Sequence, residues 1–164
     1  MNVVDALSKT ELFSGLDDQE LVAVAALCDT VTYPAGELIF REDSEGTELF
    51  VLPSGRVSVE IRINAGDETE SIVKLRSHEI FGELALLDGH RRSASIRALE
   101  DTVLLVLTRD ALLELLGTQT RIGFVVMQNL SKILATRLRE TNMNLRNVIS
   151  QHKQLLQSLS FRMH

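Results

Sequence analysis

Residues 49–63, LFVLPSGRVSVEIRI, predict two short β-strands joined by a tight turn. Apolar residues occupy every second position in both halves of the segment, and this period of two places them on one face of a strand. Residues 53–55 lie between the halves and supply Gly55, which can adopt the positive φ that turns require. We therefore expect strands that keep one face in water.

The same pattern extends in both directions from this segment. Apolar residues alternate at Val31 and Tyr33 and at Leu38 and Phe40, and two further strands are predicted over residues 70–75 and 93–107, the second broken at 99–101. Turn-forming sequences separate the strands at residues 34–36, 44–46 and 64–67. So many short strands favour an antiparallel β-roll or barrel. Residues 82–87 form a short helical candidate between two strands.

Helices are predicted on both sides of the roll, which makes the fold class α+β. Asp17 and Glu20 have the spacing of a capping box at the start of an apolar-periodic helix. After residue 109 the pattern is helical again, and from about Gln119 it continues without proline almost to the end. We divide the chain into a roll (residues 1–116) and a long C-terminal helix (residues 117–164).

The long helix carries a stripe of mostly apolar residues at alternating steps of four and three, which is the 3.5-residue period of a coiled coil. This seam consists of Met127, Ser131, Leu134, Leu138, Thr141, Leu145, Val148, His152, Leu155 and Leu159. The stripe could instead pack on the roll of its own chain. Because a helix of about forty residues is ~60 Å long, it exceeds such a roll, and we predict a parallel homodimer.

Composition excludes several classes of protein. The chain has 164 residues, of which 45% are apolar, enough for the core of one domain. No apolar run approaches the ~20 residues of a membrane span, and the N-terminus lacks the pattern of a signal peptide, so we expect a cytoplasmic protein. Cys28 is alone, which excludes an internal disulfide and indicates a core thiol. The four histidines are scattered, and we expect no metal site.

Charge is distributed unevenly along the chain. Residues 1–116 contain 10 Lys and Arg against 22 Asp and Glu, whereas residues 117–164 contain 7 against one, Glu140. A basic tail is compatible with contact to nucleic acid. The simpler interpretation, which we favour, is that the positive charges of the helix compensate for the acidic charge of the rest of the chain.

Residues 81–95, FGELALLDGHRRSAS, contain the residues that indicate a ligand-binding site. Gly82 opens a short helix, so backbone NH groups can approach an anion, and Arg92 can add a charge-assisted hydrogen bond to it. The carboxylate of Glu83 would repel an anion unless it accepts hydrogen bonds from a neutral hydroxyl, such as a ribose 2′-OH. These residue types indicate a ligand with a phosphate and a sugar. Taken alone, they would also fit a surface salt bridge between Glu83 and Arg92.

The spacing of this segment resembles the phosphate-binding cassette of cyclic-nucleotide-binding domains, as in bacterial catabolite activators, regulatory subunits of cAMP-dependent kinase and cyclic-nucleotide-gated channels. The family pattern Phe-Gly-Glu-(apolar)-Ala-Leu is present at residues 81–86, and Arg-(Ser/Thr/Ala)-Ala at residues 92–94. Gly36, Gly46 and Gly55 match glycines of the family's roll. Glu42 departs from it, because many members have glycine before the aspartate.

The resemblance implies roles for individual residues. The phosphate would be held by the cassette and the arginine, and Glu83 would hold the ribose. The ligand-binding residues that the resemblance implies in this segment are Gly82, Glu83, Leu84, Ala85, Arg92, Ser93 and Ala94. In the family, threonine at the position of Ser93 tends to accompany a preference for cGMP, whereas serine or alanine tends to accompany a preference for cAMP. We therefore expect cAMP, with cGMP as the alternative.

The C-terminal helix also resembles the dimer helix of the activators, over residues 135–142. On this alignment Thr141 and Asn142 take the places that contact adenine, one from each subunit. Thr141 is independently a polar position of the seam, where it could also serve only to set the register.

We therefore expect a cyclic-nucleotide receptor that relays binding through its dimer helix. No catalytic motif is recognisable, and we predict no enzyme. No DNA-binding domain or recognition helix is expected in these residues. Two alternatives stay open, the sensory part of an activator-type transcription regulator and a structural dimerisation module with a vestigial pocket. The downstream partner is not predicted.

Overall fold

The chain forms a β-roll flanked by helices, as the sequence predicted. The structure is a computed structural model that describes residues 2–64, 66 and 68–162, with side chains through residue 158. The helices are α1 (Val3–Ser8), a 3₁₀ helix (Glu11–Phe13), α2 (Asp18–Ala25), α3 (Glu83–Asp88), α4 (Arg109–Thr118) and α5 (Thr120–Arg162). The strands are β1 (Asp29–Tyr33), β2 (Leu38–Phe40), β3 (Leu49–Ser54), β4 (Arg56–Arg62), β5 (Thr69–Arg76), β6 (Ile80–Phe81), β7 (Ser95–Ala98) and β8 (Thr102–Leu107).

The strands form two antiparallel four-stranded sheets, with the orders β1-β8-β3-β6 and β2-β7-β4-β5. Strands β3 and β4, which follow one another in the chain, belong to different sheets, so the turn between them is a corner of the roll. Gly55 at this corner has φ +102°, and an added Cβ would lie 2.4 Å from Thr102 Oγ1. The glycine predicted for this turn is therefore required by both backbone conformation and space.

Two predictions about the strands are refined by the structure. The break expected at residues 99–101 separates β7 from β8, and β5 covers the strand expected over 70–75. The two-residue strand β6 was not predicted, because a segment so short shows no period. The turn predicted over residues 64–67 includes residues 65 and 67, which lie outside the described residues.

The prediction of one wet face was wrong for β3. Its residues from Leu49 to Pro53 are all buried, because each face of the strand packs against a different cluster. Leu49 and Val51 pack with the helices, whereas Phe50 and Leu52 pack inside the roll with residues of both sheets. This strand is thus shared between two cores.

The capping box predicted for α2 is confirmed. Asp17 Oδ1 accepts a hydrogen bond from the Glu20 backbone N at 2.9 Å, and Glu20 Oε2 accepts one from the Asp17 backbone N at 2.9 Å. The Glu20 carboxylate also contacts Arg121 at the beginning of α5. The cap therefore lies where α2 meets the long helix.

We expect Asp17→Ala to lower the free energy of unfolding by about 1 kcal/mol, because a backbone NH of the first turn loses its acceptor. Urea denaturation followed by circular dichroism measures this value. Asp18→Ala is the matched control, since Asp18 lies in the same turn but is not the capping residue; it should cost about 0.5 kcal/mol or less. Equal losses for the two variants would contradict the assignment.

Cys28 lies at the end of the first helical region and packs against the helical core. Its Sγ is 3.5 Å from the Val24 carbonyl oxygen. Burial raises the pKa of the Cys28 thiol to about 12, with a smaller contribution from Asp29. The thiol is therefore protonated at neutral pH, but Cys28 is only partly buried at the edge of the core.

The long helix α5 has two parts with different surroundings. Its first turns supply the buried residues Ile122, Val126, Leu130 and Ile133 to the helical core. From Leu138 onward its described apolar residues are exposed, including Leu138 (62%), Val148 (61%) and Leu155 (61%). The predicted boundary at 116/117 falls inside α4. Within the described residues, no helix combines the length and apolarity that spanning a bilayer demands.

Candidate functional site

Arg92 is the most buried cation of the cassette, with only 4% of its surface exposed. It precedes β7, and its Nη1 donates hydrogen bonds to the carbonyl oxygens of Glu48 (3.0 Å) and Gly82 (3.4 Å). Nη2 donates to Glu48 Oε2 at 2.6 Å, and the guanidinium lies over the Phe40 ring, 4.3 Å from its centroid. Packing and hydrogen bonds thus fix its plane.

The electrostatics of Arg92 favour a further anionic partner. Burial lowers the pKa of the Arg92 guanidinium, and the neighbouring Glu48 carboxylate opposes this shift. Arginine still remains charged at neutral pH. Among the described residues, Arg92 Nε is buried without a hydrogen-bond partner. An unpaired buried donor on a cation is costly, so the site has unused capacity to bind an acceptor.

Gly82 allows the close approach of the cassette to Arg92. Its φ of +81° is in the left-handed region, and an added Cβ would lie 2.6 Å from the Glu48 carbonyl oxygen and 2.8 Å from Arg92 Nη1. Any larger residue would displace one of these groups. The glycine predicted from the sequence is therefore required by the geometry of the arginine.

Glu83 is also buried, with 6% of its surface exposed. Its partner is Arg137 of α5, whose Nη1 lies 2.7 Å from Glu83 Oε1 and whose Nη2 donates to the Ile80 carbonyl oxygen at 2.6 Å. The alternative of a surface salt bridge between Glu83 and Arg92 is wrong, because both side chains are buried and each is paired elsewhere. The sequence did not single out Arg137, although it lies in the stretch that resembles the dimer helix.

A cavity of about 560 Å³ lies between the cassette, the second sheet and α5. Its volume is within the range of small-molecule sites. It is lined by apolar side chains of β4 and β5 and by mostly polar side chains of α5. Eight of the nine residues predicted for the site line it: Gly82, Glu83, Leu84, Ala85, Arg92, Ser93, Ala94 and Thr141.

The ninth predicted residue, Asn142, does not line this cavity. Thr141 and Asn142 are both exposed, but they point to different sides of α5 because they are consecutive in a helix. The structure instead places Glu140 and Asn144 beside Thr141 in the cavity wall. A contact of Asn142 with a ligand in a second subunit stays a prediction.

The loop after β2 is hydrogen-bonded to the backbone of the cassette at Arg92. The Asp43 backbone N donates to the Arg92 carbonyl oxygen at 2.8 Å, and the Arg92 backbone N donates to the Ser44 carbonyl oxygen at 3.0 Å. Glu42, the departure from the family pattern, accepts a hydrogen bond from the Arg62 backbone N at 2.8 Å. Asp43 itself takes the left-handed conformation, with φ +65°. The turn therefore forms with glutamate in place of glycine.

Comparison with known proteins agrees with this architecture. The family model for the cyclic nucleotide-binding domain matches residues 30–119, more than half of the chain, and the chain belongs to this family. A curated relative, the cyclic AMP receptor protein of Thermus thermophilus, is 37% identical over 134 residues, which are 82% of this chain and 60% of the relative.

Solved structures show the same fold. The catabolite activator protein of Thermus thermophilus superposes with a TM-score of 0.73 at 36% identity, covering 85% of this chain and 63% of that one. A cyclic nucleotide-binding domain from Methylobacillus flagellatus superposes with a TM-score of 0.74 at 28% identity, and the match covers 84% of this chain and 77% of that one. The chain spans about three fifths of the length of the curated bacterial relatives that it matches.

Proposed function

We propose that the chain is a receptor for a cyclic nucleotide, with cAMP as the favoured ligand. The observation that carries the proposal is the buried Arg92 guanidinium, which lines a 560 Å³ cavity and retains an unpaired Nε. A cyclic phosphate supplies the singly charged acceptor that this group lacks. The preference for cAMP is supported by Ser93 and by the 37% identical relative, which is described as a cyclic AMP receptor protein.

The ligand would lie with its phosphate at Arg92 and Ser93 and its sugar at Glu83. Arg137 bonds to one oxygen of the Glu83 carboxylate, Oε1. A carboxylate can accept several hydrogen bonds, so the sugar hydroxyl can share the group with Arg137. The base would then extend along α5. We assign no catalytic residue, and a cytoplasmic location stays a prediction.

The pair between Glu83 and Arg137 supports the proposed relay. It joins the cassette, where the ligand would bind, to the long helix, and the contact is largely buried, with side-chain exposures of 8% and 29%. A ligand hydroxyl that bonds to Glu83 changes the environment of this pair. Binding would therefore act on the position of α5.

The partner proposed for α5 is a second copy of this chain. The predicted seam contains exposed apolar residues well beyond the roll, among them Leu138 (62%), Leu145 (55%) and Leu155 (61%). Leu159 belongs to the same predicted seam, but its side chain lies outside the described residues. Contact between two such seams would bury these residues at the 3.5-residue period of a coiled coil.

Native mass spectrometry and calorimetry test the proposed ligand. Freshly purified protein is examined for a bound nucleotide, and nucleotide-free protein is then titrated with cAMP and cGMP. We expect binding of both with tighter binding of cAMP. A folded protein that contains no nucleotide and gives no heat with either would contradict the proposal and favour a structural module with a vestigial pocket.

A further inference from the structure

The face of α5 that borders the cavity continues beyond the residues recognised from sequence. Its members share one side of the helix at steps of three and four, and they are Ile133, Thr136, Arg137, Glu140, Thr141 and Asn144. At about 100° per residue, Asn144 lies near the middle of this face, whereas Thr141 lies at its edge. Asn144 is therefore directed at the cavity more squarely than Thr141.

The position of Asn144 along the helix matches the base end of the proposed ligand. Arg137 touches Glu83, which marks the sugar end of the cavity. Asn144 lies seven residues further along α5, about 10 Å at the rise of an α-helix. A base that extends from the sugar along α5 therefore approaches Asn144.

Among the polar side chains of this face beyond Arg137, Asn144 alone offers both a donor and an acceptor. The hydroxyl of Thr141 donates its proton to the Arg137 carbonyl oxygen at 2.8 Å, so it can only accept from a ligand. The carboxylate of Glu140 also only accepts. Within the described part of the chain, the Asn144 carboxamide has no partner.

We propose that Asn144 is a specificity-determining residue that selects adenine over guanine in the cavity of its own chain. An asparagine amide matches the adenine amino group and the adjacent ring nitrogen with one donor and one acceptor. Guanine presents two acceptors, O6 and N7, at the corresponding edge, so the amide oxygen would face an acceptor. This inference rests on the proposed function, since it names the residue that reads the base.

Asn142 is the competing position for base recognition. It lies two residues from Asn144, about 200° around the helix, and outside the cavity. The sequence resemblance gives Asn142 and Thr141 the base contacts across two subunits. The same substitution at residues 142 and 144 therefore separates the two assignments.

The test uses the full chain and measures the affinities for cAMP and cGMP by calorimetry. Aspartate has nearly the same shape as asparagine but replaces the amide donor with an acceptor. We expect Asn144→Asp to reduce the preference for cAMP over cGMP at least about tenfold, mainly through weaker cAMP binding. Asn147→Asp, an exposed position of α5 outside the cavity, is the matched control and should leave the ratio unchanged.

The outcomes distinguish this inference from the function on which it rests. Wild-type protein that binds neither nucleotide contradicts the proposed function, and the inference with it. Wild-type binding combined with an unchanged ratio in Asn144→Asp contradicts the inference alone, including the case in which both affinities fall equally through charge repulsion. A changed ratio only in Asn142→Asp transfers base recognition to that residue and also overturns the inference.

Discussion

Replacing Arg92 with glutamine is expected to weaken cyclic-nucleotide binding by at least about 30-fold, measured by calorimetry with cAMP. The Arg92 side chain is only 3% exposed, so a phosphate bound to it would form a largely desolvated charge pair. Loss of one partner of such a pair costs about 2–5 kcal/mol. Glutamine keeps a polar side chain in the site but removes the charge.

The stability of the variant must be measured in the same experiment, because Arg92 also bonds to Glu48 and to the Gly82 carbonyl oxygen. Circular dichroism and thermal melting show whether Arg92→Gln is folded. Arg92→Lys is the second variant, since it keeps the charge but loses the planar fork of donors, and it should also bind more weakly than wild type.

Arg91→Gln is the matched control for both variants. Arg91 is the neighbouring arginine, but its side chain is 57% exposed and bonds to the Asp43 carbonyl oxygen and to Glu45. It does not line the cavity, so we expect the affinity of Arg91→Gln for cAMP to stay within about twofold of wild type. Folded Arg92→Gln that binds cAMP as tightly as wild type would refute the phosphate site.

The second large effect is expected at the seam of α5, where Leu145→Glu should convert a dimer to a monomer. Burial of a leucine contributes about 1.5–3 kcal/mol, and a dimer loses two such contributions. The substitution also places two like charges opposite each other. We therefore expect the dimer to weaken by more than about 100-fold.

Sedimentation equilibrium measures this change, with one chain having a mass of 18.3 kDa. Met143→Glu is the matched control, because Met143 is 60% exposed and apolar, as Leu145 is at 55%, but lies off the seam. The Met143→Glu variant should remain dimeric. A monomeric wild-type protein, or dissociation by Met143→Glu and not by Leu145→Glu, would refute the predicted seam.

Local patterns explain why much of the fold could be predicted from the sequence. The period of two identified most strands, and the glycine at residue 55 marked the corner between β3 and β4. The prediction of one wet face for β3 followed from the alternation of Leu49 and Val51. It overlooked that residues 49–52 form a continuous apolar run, which is typical of a strand buried on both faces. Its phenylalanine and leucine at positions 50 and 52 fill the interior of the roll.

The site was predictable only in part for a related reason. Gly82, Glu83 and Arg92 lie within one short segment, so their spacing was recognisable. Their charged partners come from distant parts of the chain, since Glu48 is 44 residues from Arg92 and Arg137 is 54 residues from Glu83. No period or motif connects positions so far apart, and only the folded chain brings them together.

The division of α5 into a buried and an exposed part has a mechanical consequence. The buried part, which ends near Ile133, packs in the same core as Leu86 of the cassette helix. The remaining residues to 162 form a lever about 40 Å long. A tilt of about 5° at the base of this lever would move its tip by roughly 3–4 Å, which is larger than the sub-ångström shifts with which such transitions begin at a ligand site. In the proposed relay, a small shift of the cassette helix would thereby be enlarged at the far end of α5.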